Sequence, residues 1–351
     1  MIKQKFLGVD LLRVIACISV CLFHFSNLKL NNTPTYLPSE SKLLLFSNQI
    51  WYFVFSFFIL SSYILFFSLA NEHYTLKHYG KFILKRFLRI YPPFLFSIII
   101  FVFIQFLFTL NPNYEGPTFD IEWTKLISNL LFCPPLFGHD WYNPIYWTLG
   151  IEFQFYFVLG LVFPILNSER FNSNFTYEIT AILFVYFTIY YDSTNYNLNK
   201  LTLLSYWDLF YLGFILYRYK SNKINLNKAM VILIFLMLAI FLHYHQTQYY
   251  ITFYICIIVI LVIFFVKQLP KIISSVSDIS YSLYLTHGFT GGLFLYFTRN
   301  MISDDLPRVL MVFVALAISI LGTLPFYKFI EKPWQKMSQK LRLNALNDAP
   351  K

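Results

Sequence analysis

Long apolar stretches separated by short polar ones set the pattern of this chain. Buried cores of soluble proteins produce apolar runs of about 10–14 residues, whereas many runs here reach about 18 or more, the length that crosses a bilayer. The pattern predicts an all-α integral membrane protein, a bundle of about ten transmembrane helices. These fall at roughly 7–28, 49–69, 93–110, 145–166, 177–192, 201–217, 229–245, 249–266, 279–298 and 309–330. No internal repeat, Gly/Ser linker or low-complexity run interrupts them. The expected organisation is therefore one transmembrane domain, 1–335, with a short polar cytoplasmic tail, 336–351. The longest outer connection, about 111–144, is rich in Pro, Asn and acidic residues and includes an apolar stretch at 126–137. Long ordered loops are often functional, so this one is a candidate cap for a site on the outer face.

Composition agrees with that class. Hydrophobic residues are 58% of the chain and charged ones 13%, about half the charged share of a soluble domain. Phe (42) and Tyr (27) are abundant, as expected where aromatics face lipid or its interfaces. The net charge of +10 invites a nucleic-acid reading, but its distribution excludes one. Segments on one side of the predicted bundle carry 20 of the 27 Lys and Arg, and those on the other side carry six. By the positive-inside rule that split places both termini in the cytoplasm. Lys3 and Lys5 before an apolar stretch resemble a signal peptide, but Asp10 and Arg13 interrupt it and no small-residue cleavage site follows. The four cysteines (Cys17, Cys21, Cys133, Cys256) lack metal-ligand spacing and read as small buried hydrophobes. His243 and His245 form an HxH pair with no evident third ligand, so no metal site is expected.

Ionisable groups inside the predicted spans carry the chemistry, because burying a charge in hydrocarbon is costly. Arg13 and His24 are 11 residues apart on the first span. At about 100° per residue that spacing puts both on one face, about 16 Å apart along the axis, with Arg13 nearer the cytoplasm. Asp10, three residues before Arg13, can pair with it. A guanidinium near the cytoplasm can hold phosphate or a carbonyl. A histidine deeper in can take a proton from a hydroxyl, since its ordinary pKa is about 6.5. The spacing is equally compatible with a structural Asp–Arg pair and a histidine satisfied by a neighbouring helix. Arg86 and Arg89, one turn apart at the inner mouth of the third span, can grip phosphates or simply anchor the helix. Glu152 and Gln154 interrupt an apolar fourth span, and a buried Glu152 needs a partner that His24 or an arginine could supply. Asp208, His287 and Glu331 also lie within or at the edges of spans.

Together these segments resemble the acyltransferase family 3 of integral membrane proteins, over about 8–334. The family's D-x-x-R, followed after ten residues by His, looks like Asp10, Arg13 and His24. Its F-F-x-L-S-G-[FY] segment resembles 57–63, and its R-x-x-R-[IL]-Y-P element is present as Arg86, Arg89, Ile90, Tyr91 and Pro92. W-S-L-x-x-E-E-Q-F-Y resembles 147–156, from Trp147 to Tyr156. I-S-Y-S-L-Y-L-x-H matches 279–287, including Tyr284 and His287, and E-x-P is Glu331 to Pro333. Two positions depart from the pattern. Ser62 stands where the family usually has Gly, and Phe153 replaces the second acidic residue of the E-E pair.

The resemblance implies an O-acyltransferase, in most members an acetyl-CoA-dependent one, acting on cell-surface or lipid-linked carbohydrate such as lipopolysaccharide. It implies a multi-pass protein of a bacterial cytoplasmic (inner) membrane, with acyl-CoA entering from the cytoplasm as a substrate and no cofactor held permanently. His24 is then the general base, Glu152 the group that orients it, and Arg86, Arg89 and Arg13 the donor-binding arginines. Arg13, Trp147 and Tyr284 are candidates for stabilising the oxyanion. An acyl-enzyme route through Cys17, seven residues from His24, is the mechanistic rival. A transporter or flippase of glycan or lipid-linked sugar is the alternative of another class, because intramembrane Arg, Glu and His also mark transport pathways. The oligomeric state is not legible.

Overall fold

A computed structural model describes residues 6–29, 35–110, 121–168, 202–246, 250–302, 304–341 and 343. No strand occurs among them. The helices are α1 (Leu7–Ser26), α2 (Lys42–Ile50), α3 (Ser56–Asn71), α4 (Tyr79–Thr109), α5 (Trp123–Leu130), α6 (Trp147–Leu166), α7 (Trp207–Lys220) and α8 (Leu226–Gln246). They continue with α9 (Ile251–Phe265), α10 (Lys271–Asp278), α11 (Ser280–Thr286), α12 (Gly291–Thr298), α13 (Asp305–Phe326) and α14 (Lys332–Lys340). Among the described residues six helical runs are long and apolar enough to cross a membrane: Leu7–Ser26, Lys42–Asn71, Leu76–Thr109, Pro144–Leu166, Leu226–Tyr244 and Asp305–Lys340. The chain is thus an all-helical protein with the features of a multi-pass membrane protein.

The six runs coincide with predicted spans. The predicted span 177–192 lies outside the described residues. α7 and α9 are apolar but short, at 14 and 15 residues. The span expected at 279–298 is not one helix: α11 ends at Thr286, a 3-10 turn covers His287–Phe289, and α12 begins at Gly291. The third span also begins earlier than the pattern predicts. α4 runs through Pro92 and Pro93, which cannot donate to the carbonyls four residues before them. Such breaks are tolerated in membrane helices when a neighbour helps to satisfy the backbone. Tyr281 Oη donates to the Ile90 carbonyl at 2.8 Å, next to the Leu88 and Arg89 carbonyls that the prolines leave without their usual donors.

The chain divides into two compact units. The first comprises Met1–Val54, Arg89–Tyr146 and Phe265–Gln335. Within it α1 is central, packed against α2, α10, α11, α12 and α13. The helices that follow the break are tied to α13 by hydroxyls: Thr286 Oγ1 donates to Thr323 at 2.9 Å, and Thr290 Oγ1 to Ser319 at 3.1 Å. Ser319 Oγ also accepts the Gly291 N–H at 3.0 Å, filling part of the backbone gap that the break opens. Between membrane helices such bonds contribute about 0.6–2 kcal/mol each.

The second unit comprises Phe55–Leu88, Trp147–Phe264 and Lys336–Lys351. Its centre is α7, buried without interruption from Asp208 to Arg218. The closest approach in this unit is α7 on α3, made possible by Gly213. A Cβ built there would lie 2.2 Å from the Ile59 carbonyl oxygen and 2.8 Å from Ser62 Cβ. Small residues at such crossings let membrane helices come together, since apolar contact with lipid and with protein are nearly equivalent. Ser62, the departure from the family's Gly, sits at this crossing, and the glycine is on the opposite helix.

Candidate active site

In the first unit α1 is unbroken from Leu7 to Ser26, so Arg13 and His24 keep the one-face register that their spacing predicts. Asp10 acquires a different partner from the one its spacing suggests: it accepts a hydrogen bond from Ser277 Oγ on α10 at 3.0 Å. Near this end, Glu331 closes a π-helical turn, Tyr327–Glu331, and accepts from the backbone N–H of Ser282 at 3.0 Å and from its hydroxyl. Arg13 and Arg89 are both within electrostatic reach of Glu331. Four separated motifs of the sequence thus converge: the first helix, the R-x-x-R element, the 279–287 segment and the closing E-x-P. π-Bulges are often found at functional sites.

Further along α1, His24 meets His287. Their ring centres are 5.3 Å apart, in a tilted contact, and no hydrogen bond joins the two rings. His287 is buried, and its Nδ1 lies 2.8 Å from the Tyr284 carbonyl oxygen. A carbonyl only accepts, so in the neutral ring Nδ1 carries the hydrogen and Nε2 keeps its lone pair. Tyr284 in turn donates to the Ile145 carbonyl at 2.9 Å. His287 also stands in the 3-10 turn between α11 and α12. Irregular backbone at membrane depth is tolerated where it is buried in protein or lines a cavity. His24 makes ring contacts with Phe23 and His287 and no hydrogen bond among the described residues, which leaves its nitrogens available. Cys17, by contrast, is fully buried and directs its thiol to the Ser280 carbonyl at 3.3 Å, a packing role.

In the second unit Glu152 is the hub. It accepts from Ser61 Oγ at 2.6 Å and from Tyr156 Oη. The Arg86 guanidinium sits 5.9 Å from the centre of the Tyr156 ring and 5.7 Å from that of Phe82. Both of these partners of Glu152 are hydroxyls. Trp147 stacks among Phe55, Phe58 and Tyr206, with ring centres 5.5–6.3 Å away. Gln154 accepts the Leu203 N–H at 2.8 Å.

Two features escaped the sequence. Asp208 and His243 form a buried pair, with Nδ1 to Oδ2 at 3.0 Å, and the Leu209 N–H at 2.9 Å and Tyr244 Oη at 3.4 Å donate to Oδ1. The HxH spacing drew attention to His243, but nothing in the pattern linked it to Asp208, 35 positions earlier; the side chain of His245 lies outside the described residues. The other is the proximity of His24 and His287, which no periodicity reveals, because it depends on which helices are neighbours.

The sequence model of the acyltransferase 3 family, described as an acyltransferase domain, matches residues 6–328, nearly the whole chain. The chain belongs to this family. Neither a search of curated proteins nor one of solved structures finds a match. Membership of the acyltransferase 3 family, on an all-helical chain with six apolar runs of membrane-spanning length, supports a membrane acyltransferase.

Proposed function

We propose that the protein is a membrane O-acyltransferase that moves an acyl group, acetyl in the simplest case, from acyl-CoA to a hydroxyl of a cell-surface or lipid-linked carbohydrate. The observation that carries the reading is the placing of His24 beside His287 at a helix break, in a chain of the acyltransferase 3 family. In this reading His24 takes the hydroxyl proton as the oxygen attacks the thioester carbonyl. The tetrahedral intermediate then collapses with cleavage of the carbon–sulfur bond, and the departing thiolate of CoA takes the proton. His287, its ring against that of His24 and its Nε2 unprotonated, orients the His24 imidazole through one bridging water, leaving the other nitrogen to face the acceptor. It is a positioning residue that takes the place the sequence offered to Glu152. Arg13, Arg86 and Arg89 are assigned to the phosphates of the donor, where guanidinium forks suit phosphate oxygens. Ten spans, cytoplasmic termini, the bacterial inner membrane and entry of the acceptor from the outer side belong to the same proposal, on the 20-to-6 charge split.

The reading is tested with purified protein in lipid nanodiscs, supplied with acetyl-CoA and extracted surface glycan. Release of CoA thiol that requires glycan and disappears in His24→Ala supports it. Thiol release that persists undiminished in well-folded His24→Ala removes His24 from the role of base.

A further inference from the structure

The connection between α4 and α6 contains a helix with its polarity reversed. On α5 the small polar residues Ser128 and Asn129 are buried, at 2% and 0% exposure. On the opposite side Trp123 and Ile127 are exposed by 66% and 53%, and Leu131 at its end by 63%. The spacing of four keeps these three on one ridge. Leu136 and Phe137, in the turn that follows, are 68% and 60% exposed. A helix on a water-facing loop turns its polar residues outward and its apolar ones inward. Here the reverse arrangement is fixed by hydrogen bonds that leave the polar face no freedom. Asn129 Nδ2 donates to the carbonyls of Lys125 at 2.9 Å and Asp140 at 3.2 Å, and Asn129 Oδ1 accepts the Tyr142 N–H at 2.9 Å. Asn129 thereby folds the loop back on itself and forces the apolar ridge outward.

The surroundings identify what the ridge meets. The loop joins Leu76–Thr109 to Pro144–Leu166, two helical runs of membrane-crossing length, so it is held at a membrane surface at both ends. Five exposed large apolar side chains on α5 and the turn after it, led by a tryptophan, suit the headgroup boundary, where an indole places its ring in the apolar layer and its N–H in the polar one. We infer that α5 and the turn after it lie in the lipid interface, with Trp123, Ile127, Leu131, Leu136 and Phe137 embedded in it. The polar hub at Asn129 is the internal side of an interfacial anchor. That anchor leads into Ile145, whose carbonyl receives the Tyr284 hydroxyl at 2.9 Å, so it is bonded to the segment that carries the helix break. The inference concerns where the loop sits and stands whether or not the protein transfers acyl groups.

The test is spin-label accessibility in phospholipid nanodiscs. Cysteines are introduced singly at Ile127, Leu131 and Leu136, with Glu122 and Asp140 as reference positions, in a chain whose four native cysteines are replaced by alanine. Each variant is first checked for monodispersity. The expected result is high collision with dissolved oxygen and low collision with a water-soluble nickel chelate at 127, 131 and 136, and the reverse at 122 and 140. Ready access of the nickel chelate to 127 and 131 overturns the inference, because the ridge then faces water. Exclusion of both relaxants also overturns it, because the ridge is then covered by protein, such as a second copy. A second measurement avoids the cysteine background: quenching by brominated lipid is expected to fall in Trp123→Phe relative to the unaltered chain. Equal quenching in the two removes Trp123 from the interface.

Discussion

Replacing Gly213 by alanine tests the packing account with little ambiguity. The added Cβ would stand 2.2 Å from the Ile59 carbonyl oxygen, 2.8 Å from Ser62 Cβ and 3.0 Å from the Tyr63 nitrogen. Non-bonded carbons rest at about 3.5–4.0 Å, so the side-chain contact alone asks for a shift of about 0.7 Å or more. The carbonyl and nitrogen belong to the α3 backbone, so no rotamer change relieves them and the helices must move apart. Overpacking of this kind costs about 1–3 kcal/mol, and the obstruction by backbone puts this site at the upper end or above. Gly-to-Ala in a helix returns about 1 kcal/mol of propensity. The expected net loss is about 2 kcal/mol or more, read as an earlier thermal transition of the detergent-solubilised protein by fluorescence-detected size exclusion. Ser62→Gly in the same chain removes the 2.8 Å contact and leaves the carbonyl, so the double variant should regain only part of the loss. An unchanged transition in Gly213→Ala, or complete recovery in the double variant, would refute the reasoning.

Two further outcomes follow from the described contacts. Asp208→Ala removes the carboxylate that His243 Nδ1 meets at 3.0 Å in the protein interior, at a cost of about 1–3 kcal/mol; the thermal transition should fall, and an unchanged one would show that the pair is not formed. His287→Phe keeps an aromatic ring against His24 and Phe25 but removes Nε2; turnover should drop at least tenfold (about 1.4 kcal/mol) and the pH–rate profile should change shape, with folding preserved. Equal turnover and an identical profile would exclude the positioning role.

The sequence revealed different parts of this molecule to different degrees, for physical reasons. The six long runs were legible because bilayer thickness converts directly into apolar length, and the Arg13/His24 register was legible because it needs only the helical repeat. The break at His287 was not, since Leu285, Phe289 and Leu293 keep the segment apolar and no proline marks the turn. The apolar pattern places the third span from 93, yet α4 begins at Tyr79 and passes through Pro92 and Pro93. Contacts between helices were the least legible. A helix apolar on nearly every side, such as α7, gives no indication of which face meets a neighbour, and so neither Gly213 against Ser62 nor Asp208 against His243 could be derived. The family pattern located Ser62, Glu152, His287 and Glu331 as positions. The coordinates supplied partners: Ser61 and Tyr156 for Glu152, Ser282 for Glu331, and His24 for His287.

Acyl transfer by this acyltransferase 3 family member with His24 as the base is read most plainly by mass spectrometry of total surface glycan. Cells carrying the unaltered chain, His24→Ala or an empty vector are compared at matched protein levels. The account predicts an acyl mass increment with the unaltered chain alone, its size naming the group transferred. Equal acylation by His24→Ala would contradict the assignment of the base, and absence of any acyl increment with altered glycan export would contradict the transferase reading itself.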